Sequence, residues 1–225
     1  MTKLMYAVWG PDVATGLKDP AWHQALAATG VERLQLNLDD ADVADAMRIP
    51  TFAEPIAAVV STWLEEGAEP DGPNSLVGQV AERHHGWVVD ERRPIGPPES
   101  WDGSRADTLA NVAVIRRPEA LTEEEWLHRW LVDHTPIAIE TQATFGYLQN
   151  IVVDPVTDRT PFVSAFVEEL FPSEAITDMH AFYGSGGDDA ELNDRLTRLM
   201  ASVERIGADR DLDLVPTSRY LYALS

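Results

Sequence analysis

The apolar runs of this chain do not alternate. Ile56, Ala57, Ala58, Val59 and Val60 follow one another without a polar residue, and so do Ile151, Val152 and Val153 after Asn150. Strands that are apolar at odd and even positions alike must be buried on both faces. A four-stranded sheet covered by helices on one side therefore still presents an apolar face, and that face must find a partner.

The remaining elements fall into two similar series. In the second half, residues 109–115 read as a strand, two helical pieces follow, and residues 145–153 and 162–171 read as strands. Residues 189–206 carry Leu192, Leu196, Leu199, Val203 and Ile206 on one helical face, with Gly207 as the stop, and residues 220–224 close the series as a strand. The order is β-α-β-β-α-β, the split arrangement of ferredoxin-like folds. The first half is written the same way, with strands expected over 3–9, 31–38, 56–64 and 86–93 and helices over 20–28 and 76–83, plus a helical turn over 41–47. The Pro-, Gly- and Ser-rich stretch 94–105 interrupts both periodicities. The expected fold class is α+β: two ferredoxin-like βαββαβ repeats in one chain, packed sheet to sheet as an α+β barrel. The expected division is a degenerate repeat over 1–95, a linker over 96–106 and a second repeat over 107–225.

Composition restricts the partners. A formal charge of −21 repels phosphate backbones and anionic membranes, so no nucleic acid and no membrane partner is expected. The absence of cysteine removes disulfides, thiolate catalysis and cysteine-ligated metals. The opening residues MTKLMYAVWG are not a basic region followed by a long apolar run, and the cytoplasm is the default compartment. Assembly is expected as a monomeric pseudo-dimer or a homodimer.

The densest cluster of signals lies at residues 116–150. Thr122 and Glu125 form a capping box, and Trp126 and Trp130 recur at i, i+4 with Leu127 and Leu131 beside them. Thr135 reads as an N-cap and Pro136 as the first helical residue, which places His134 just outside a helix N-terminus. The helix dipole there favours neutral imidazole, a form able to take a proton near neutral pH, while Asp133 acts in the opposite direction. This segment, with its RRPxxLTxEE start and the His134 and Pro136 element, resembles the core of the EthD-domain family of the dimeric α+β barrel superfamily. The resemblance extends from about residue 108 to residue 224. It implies a ferredoxin-like fold and a histidine that moves protons on small, largely apolar molecules in a barrel pocket. It also implies association with degradative oxygenase systems.

Polar residues inside apolar strands are the other candidates. Tyr147 and Gln149 share one strand face, Asn150 the opposite one. A buried phenol or amide needs a partner, which can be a ligand, a buried water or a helix terminus. Of the adjacent Glu168 and Glu169, at most one can face the barrel, and a carboxyl buried in an apolar cavity has a raised pKa. The catalytic candidates are His134 and Tyr147. The substrate-binding candidates are Trp130, Gln142, Asn150, Glu168, His180, Phe182, Tyr183 and Tyr220. His180, Phe182 and Tyr183 precede a Gly-rich turn and read either as a flap over the barrel mouth or as packing below a loop.

No metal is expected, since the histidines lack ligand spacing and the run Asp39, Asp40, Asp42 and Asp45 lacks the glycine and glutamate of a calcium loop. No cofactor is expected either. Two functions remain open. One is a cofactor-independent lyase or isomerase acting by His-mediated proton transfer on a small apolar or aromatic carbonyl compound. The other is a non-catalytic small-molecule binding or accessory protein of a degradative oxygenase pathway.

Overall fold

The computed structural model describes residues 1–224. The first half runs β1 (Thr2–Trp9), α1 (Val13–Leu17), α2 (Pro20–Ala27), β2 (Val31–Leu38), β3 (Ala58–Leu64), α3 (Asp71–Val80) and β4 (Arg83–Ile95). A short β5 (Asp102–Arg105) follows. The second half runs β6 (Leu109–Ile115), α4 (Glu123–His128), α5 (Thr135–Thr141), β7 (Gly146–Pro155), β8 (Ala165–Phe171), α6 (Met179–Tyr183), α7 (Asp189–Ile206) and β9 (Leu212–Ala223).

The strand order is β2-β3-β1-β4 in the first half and β7-β8-β6-β9 in the second, the same ferredoxin-like arrangement twice. Two antiparallel seams join the halves: β4 pairs with β7, and β2 with β9. Eight strands thus form a closed ring, which removes the exposed sheet edges that otherwise invite aggregation. β5 pairs with the end of β9.

Local chemistry sets the helix ends. Asp19 accepts the N–H of Ala21 at 2.8 Å and Pro20 fills the first turn of α2. Asp188 accepts from Ala190 and Glu191 at 2.8 and 3.2 Å to open α7. Gly207 ends that helix at φ 74°, where an added Cβ would also lie 2.1 Å from Pro118.

The barrel interior is filled. Met5, Ala7, Trp87, Val112, Val114, Phe166 and Val215 pack together within it. Beside them lies a buried polar cluster that spans both seams. Glu168 accepts from Gln35 Nε2 and Asn37 Nδ2 at 2.9 Å and from Arg219 Nε at 3.0 Å. Lys3 Nζ donates to Asn150 Oδ1 at 2.7 Å and to Glu91 Oε2 at 2.5 Å. Burial alone would raise the Glu168 carboxyl, but Arg219, Asn37, Gln35 and Lys3 together hold it below the usual carboxylate range.

Several elements differ from the sequence reading. β9 begins at Leu212 rather than at residue 220, because Thr217 and Arg219 point into the polar interior: Thr217 Oγ1 donates to the Ala110 carbonyl at 2.6 Å, and Arg219 meets Glu168. Such residues look like loop only when the barrel is assumed to be apolar. α3 starts at Asp71 instead of residue 76, with Pro73 in its first turn, where a missing N–H is harmless. The expected break before Thr135 is absent. α4 continues through a π-helical turn, Arg129–His134, directly into α5. Thr135 is itself helical, with φ −52° and ψ −47°, and its hydroxyl donates to the Trp130 carbonyl at 3.0 Å. His134 therefore faces no free helix N-terminus, and the dipole argument for its protonation state does not apply.

Candidate functional site

Between the helices and the sheet of the second half lies a cavity of about 260 Å³. It sits on the opposite side of the sheet from the apolar cluster of the barrel interior. β6, β7 and β8 supply its floor. Tyr147 on β7 pairs in register with Glu169 on β8, and Glu169 pairs with Asn111 on β6. These three polar side chains thus form a lateral row on the helix-facing side, and all three line the cavity. The opposite wall comes from the π-helical turn, which aims both Trp130 and His134 at the sheet. A π-turn places one residue more than an α-helix does between successive contacts, which re-aims side chains, and such turns recur at functional sites. Phe182, Tyr183 and Leu199 complete the apolar lining.

The electrostatics single out Glu169. Burial raises its carboxyl from an ordinary 4.5 to about 7. The Gln142 amide, turned so that its nitrogen donates, reaches Glu169 Oε1 at 3.0 Å and the Ala138 carbonyl at 3.1 Å. It can thus support the carboxylate once the proton has left. Burial also raises the phenols of Tyr147 and Tyr183, and in both cases the nearby Glu169 adds to the shift. Both phenols are therefore neutral near pH 7. Two buried polar atoms of lining residues, Trp130 Nε1 and Asn111 Oδ1, have no hydrogen bond of normal geometry among the described residues, and the indole N–H is turned toward the Tyr147 hydroxyl. An unpaired buried donor costs about 1–3 kcal/mol, and neither atom has accessible surface, so both lie behind the cavity surface rather than on it.

His134 is buried, and its Nδ1 lies 2.9 Å from Ser202 Oγ on α7. Burial, assisted by Arg205, lowers its pKa to about 4. The imidazole is neutral at pH 7 and accepts a proton only weakly. Its ring NMR shifts are accordingly expected to stay constant from about pH 8 down to about pH 5. A titration midpoint near the ordinary 6.5 would contradict this environment.

No family model matches the sequence, and no curated protein matches it. Among solved structures, an anthrone oxidase-like protein aligns with a TM-score of 0.57 at 9% identity, over 100% of this chain and 93% of that one. A candidate monooxygenase from Lactobacillus acidophilus NCFM aligns with a TM-score of 0.50 at 10% identity, over 100% of this chain and 96% of that one. At these identities the likeness is one of fold, an α+β barrel built from two ferredoxin-like halves.

On the helix side of the sheet, six residues singled out from the sequence come together: His134, Tyr147, Trp130, Gln142, Phe182 and Tyr183 all line the cavity. Four do not. Asn150 and Glu168 point through the sheet into the barrel interior, bonded to Lys3 and to Arg219. His180 lies on α6 with its Nδ1 2.7 Å from Ser185 Oγ, and it braces the turn after that helix. Tyr220 belongs to the core of the first half, beneath Lys18 at 3.9 Å. Gln149, weighed with them, faces the helices but is consumed by Thr135, donating to its hydroxyl at 2.7 Å. Sequence reasoning missed Asn111 and Ser202 and passed over Glu169. Asn111 carried the same signal as Gln149, a lone polar residue in the apolar run LANVAVI.

The first half has no such row. At the corresponding place its sheet carries Leu34, Thr62 and Leu4 in register, packed under α2 and α3. Leucines replace the phenol and the amide, and no carboxyl is present.

Proposed function

We propose that the chain binds a small aromatic or otherwise apolar carbonyl or phenolic compound in the cavity of its second half and abstracts a proton from it. Glu169 is the base. The observation that carries this reading is a carboxyl group with a pKa near 7 in an apolar cavity, in register with the Tyr147 phenol of the same lining. A base with its pKa near the operating pH combines availability with driving force. The Tyr147 hydroxyl then supplies a donor for the oxygen on which negative charge develops. Neutral His134, held by Ser202, serves as a polar contact to the bound molecule. Enolate or phenolate formation is the shared first step of a lyase, of an isomerase and of an oxidation by dioxygen. The oxidase and monooxygenase descriptions of two solved neighbours fit that last branch. Membership of the EthD family accords with the His134 and Pro136 element.

The test is a turnover screen of aromatic and aliphatic carbonyl compounds and phenols, with and without dioxygen, followed across pH. The expected result is turnover with an ascending limb near pH 7 that Glu169→Gln abolishes. Binding without turnover, unchanged by Glu169→Gln, would favour the second reading, an accessory or carrier protein. The feature in favour of that reading is the engagement of His134 by Ser202, which ties up one of its ring nitrogens.

A further inference from the structure

The connection between β2 and β3 reaches across to the second half before it returns through Phe52 and Glu54 to Trp9 on β1. Val43 and Ala46 insert into the core of the second half, among Leu109, Ala113 and Phe171. Ile49 and Leu214 then exchange both backbone hydrogen bonds, at 3.1 and 2.9 Å. Beyond them Asp213 Oδ1 accepts from the N–H groups of Thr51 and Phe52 at 2.7 and 2.9 Å, while its Oδ2 pairs with Arg116 at 2.8 Å. The backbone of this strap is thus fixed at three successive points. Ile49, at the first of those points, and Met47 just before it reach the rim of the cavity, yet they remain 40% and 53% exposed.

We propose that the strap is the specificity element of the cavity, with Met47 and Ile49 setting the length of aromatic ligand that fits. This rests on the reading that the cavity binds such compounds. The argument is one of cost. Trp130, Phe182, Leu199 and Ile206 are all buried in the core, so changing their volume strains packing or opens voids. Met47 and Ile49 touch the cavity on one side and solvent on the other. Their size changes the aperture while the anchored backbone stays in place. The half that carries no polar row of its own thereby chooses what the other half accepts.

The experiment measures dissociation constants by calorimetry for phenol, 2-naphthol and 2-anthrol, a series that grows by one ring at a time. Wild type is compared with the double variant Met47→Ala/Ile49→Ala and with Ile49→Trp. Both variants are expected to fold, because the altered side chains are half exposed, and thermal unfolding checks this. The double variant should improve 2-anthrol relative to phenol by about ten-fold, and Ile49→Trp should reverse the preference by a similar factor. Parallel changes across the three ligands, or none, would overturn the strap's role and leave the cavity reading intact. Failure of all three to bind wild type would overturn both.

Discussion

Glu169→Gln is expected to cut turnover by about 10²–10⁴-fold, the usual share of a positioned base, while making the folded protein more stable above pH 7. The two effects share one origin. The Glu169 carboxyl titrates near 7 in the folded state against an ordinary 4.5, so the folded state prefers its protonated form. Its contribution to stability is full below about pH 4.5 and is lost as pH rises through about 7. A shift of that size corresponds to a cost on the order of 3 kcal/mol at alkaline pH, which the neutral glutamine avoids. Thermal unfolding of both proteins at about pH 4 and about pH 8.5 measures it: the melting temperatures should diverge far more at the higher pH. A variant that loses activity but shows no stabilisation at alkaline pH would mean that Glu169 is not desolvated as described.

The neighbouring residue should behave in the opposite way. Glu168→Ala removes the acceptor of Arg219, Gln35 and Asn37 and leaves a guanidinium buried without its carboxylate. A loss of about 3–5 kcal/mol is expected, with little effect on the chemistry of any molecule that still folds. Replacing Glu168 and Arg219 together by Leu and Met should recover most of it, since two apolar groups leave neither charge stranded. The pH dependence also inverts. With its folded pKa held low, Glu168 stabilises above the ordinary carboxylate range, and that contribution fades as the medium becomes acid. Denaturant unfolding of the three proteins at neutral and mildly acid pH checks both statements. An unchanged midpoint for Glu168→Ala would remove the cluster from any role in stability.

These adjacent glutamates also mark the limit of what the residues alone reveal. Strand alternation required them to point to opposite sides of the sheet, and they do. Their order could not say which side is filled and which is hollow, because that depends on side chains far away in sequence, such as Trp87, Phe166 and Arg219. The repeated β-α-β-β-α-β order was legible because apolar runs and helical spacing are local. So were the tryptophan face of α4 and the cap of α7. The long reach of β9 was hidden because its polar residues meet partners on β2, brought beside it only by closure of the ring. The π-turn was hidden as well: Thr135 and Pro136 are the residues of a helix start, yet Thr135 spends its hydroxyl on the carbonyl of Trp130 and the helix runs on. Tertiary packing of Trp130 and His134 against the sheet overrode that local signal.

Covalent continuity across the two seams changes what mutation can explore. When a barrel is built from two copies of one gene product, every substitution is made twice, and a change that helps one copy as a scaffold must also be tolerated by the other as a reactive centre. Here a change is made once. Leu34 and Leu4 can close one half while Tyr147 and Asn111 keep the other open, and a loop of the first half can be refitted to a new ligand without touching a second pocket. Such a chain should offer one ligand place per barrel, at a stoichiometry that dilution does not alter.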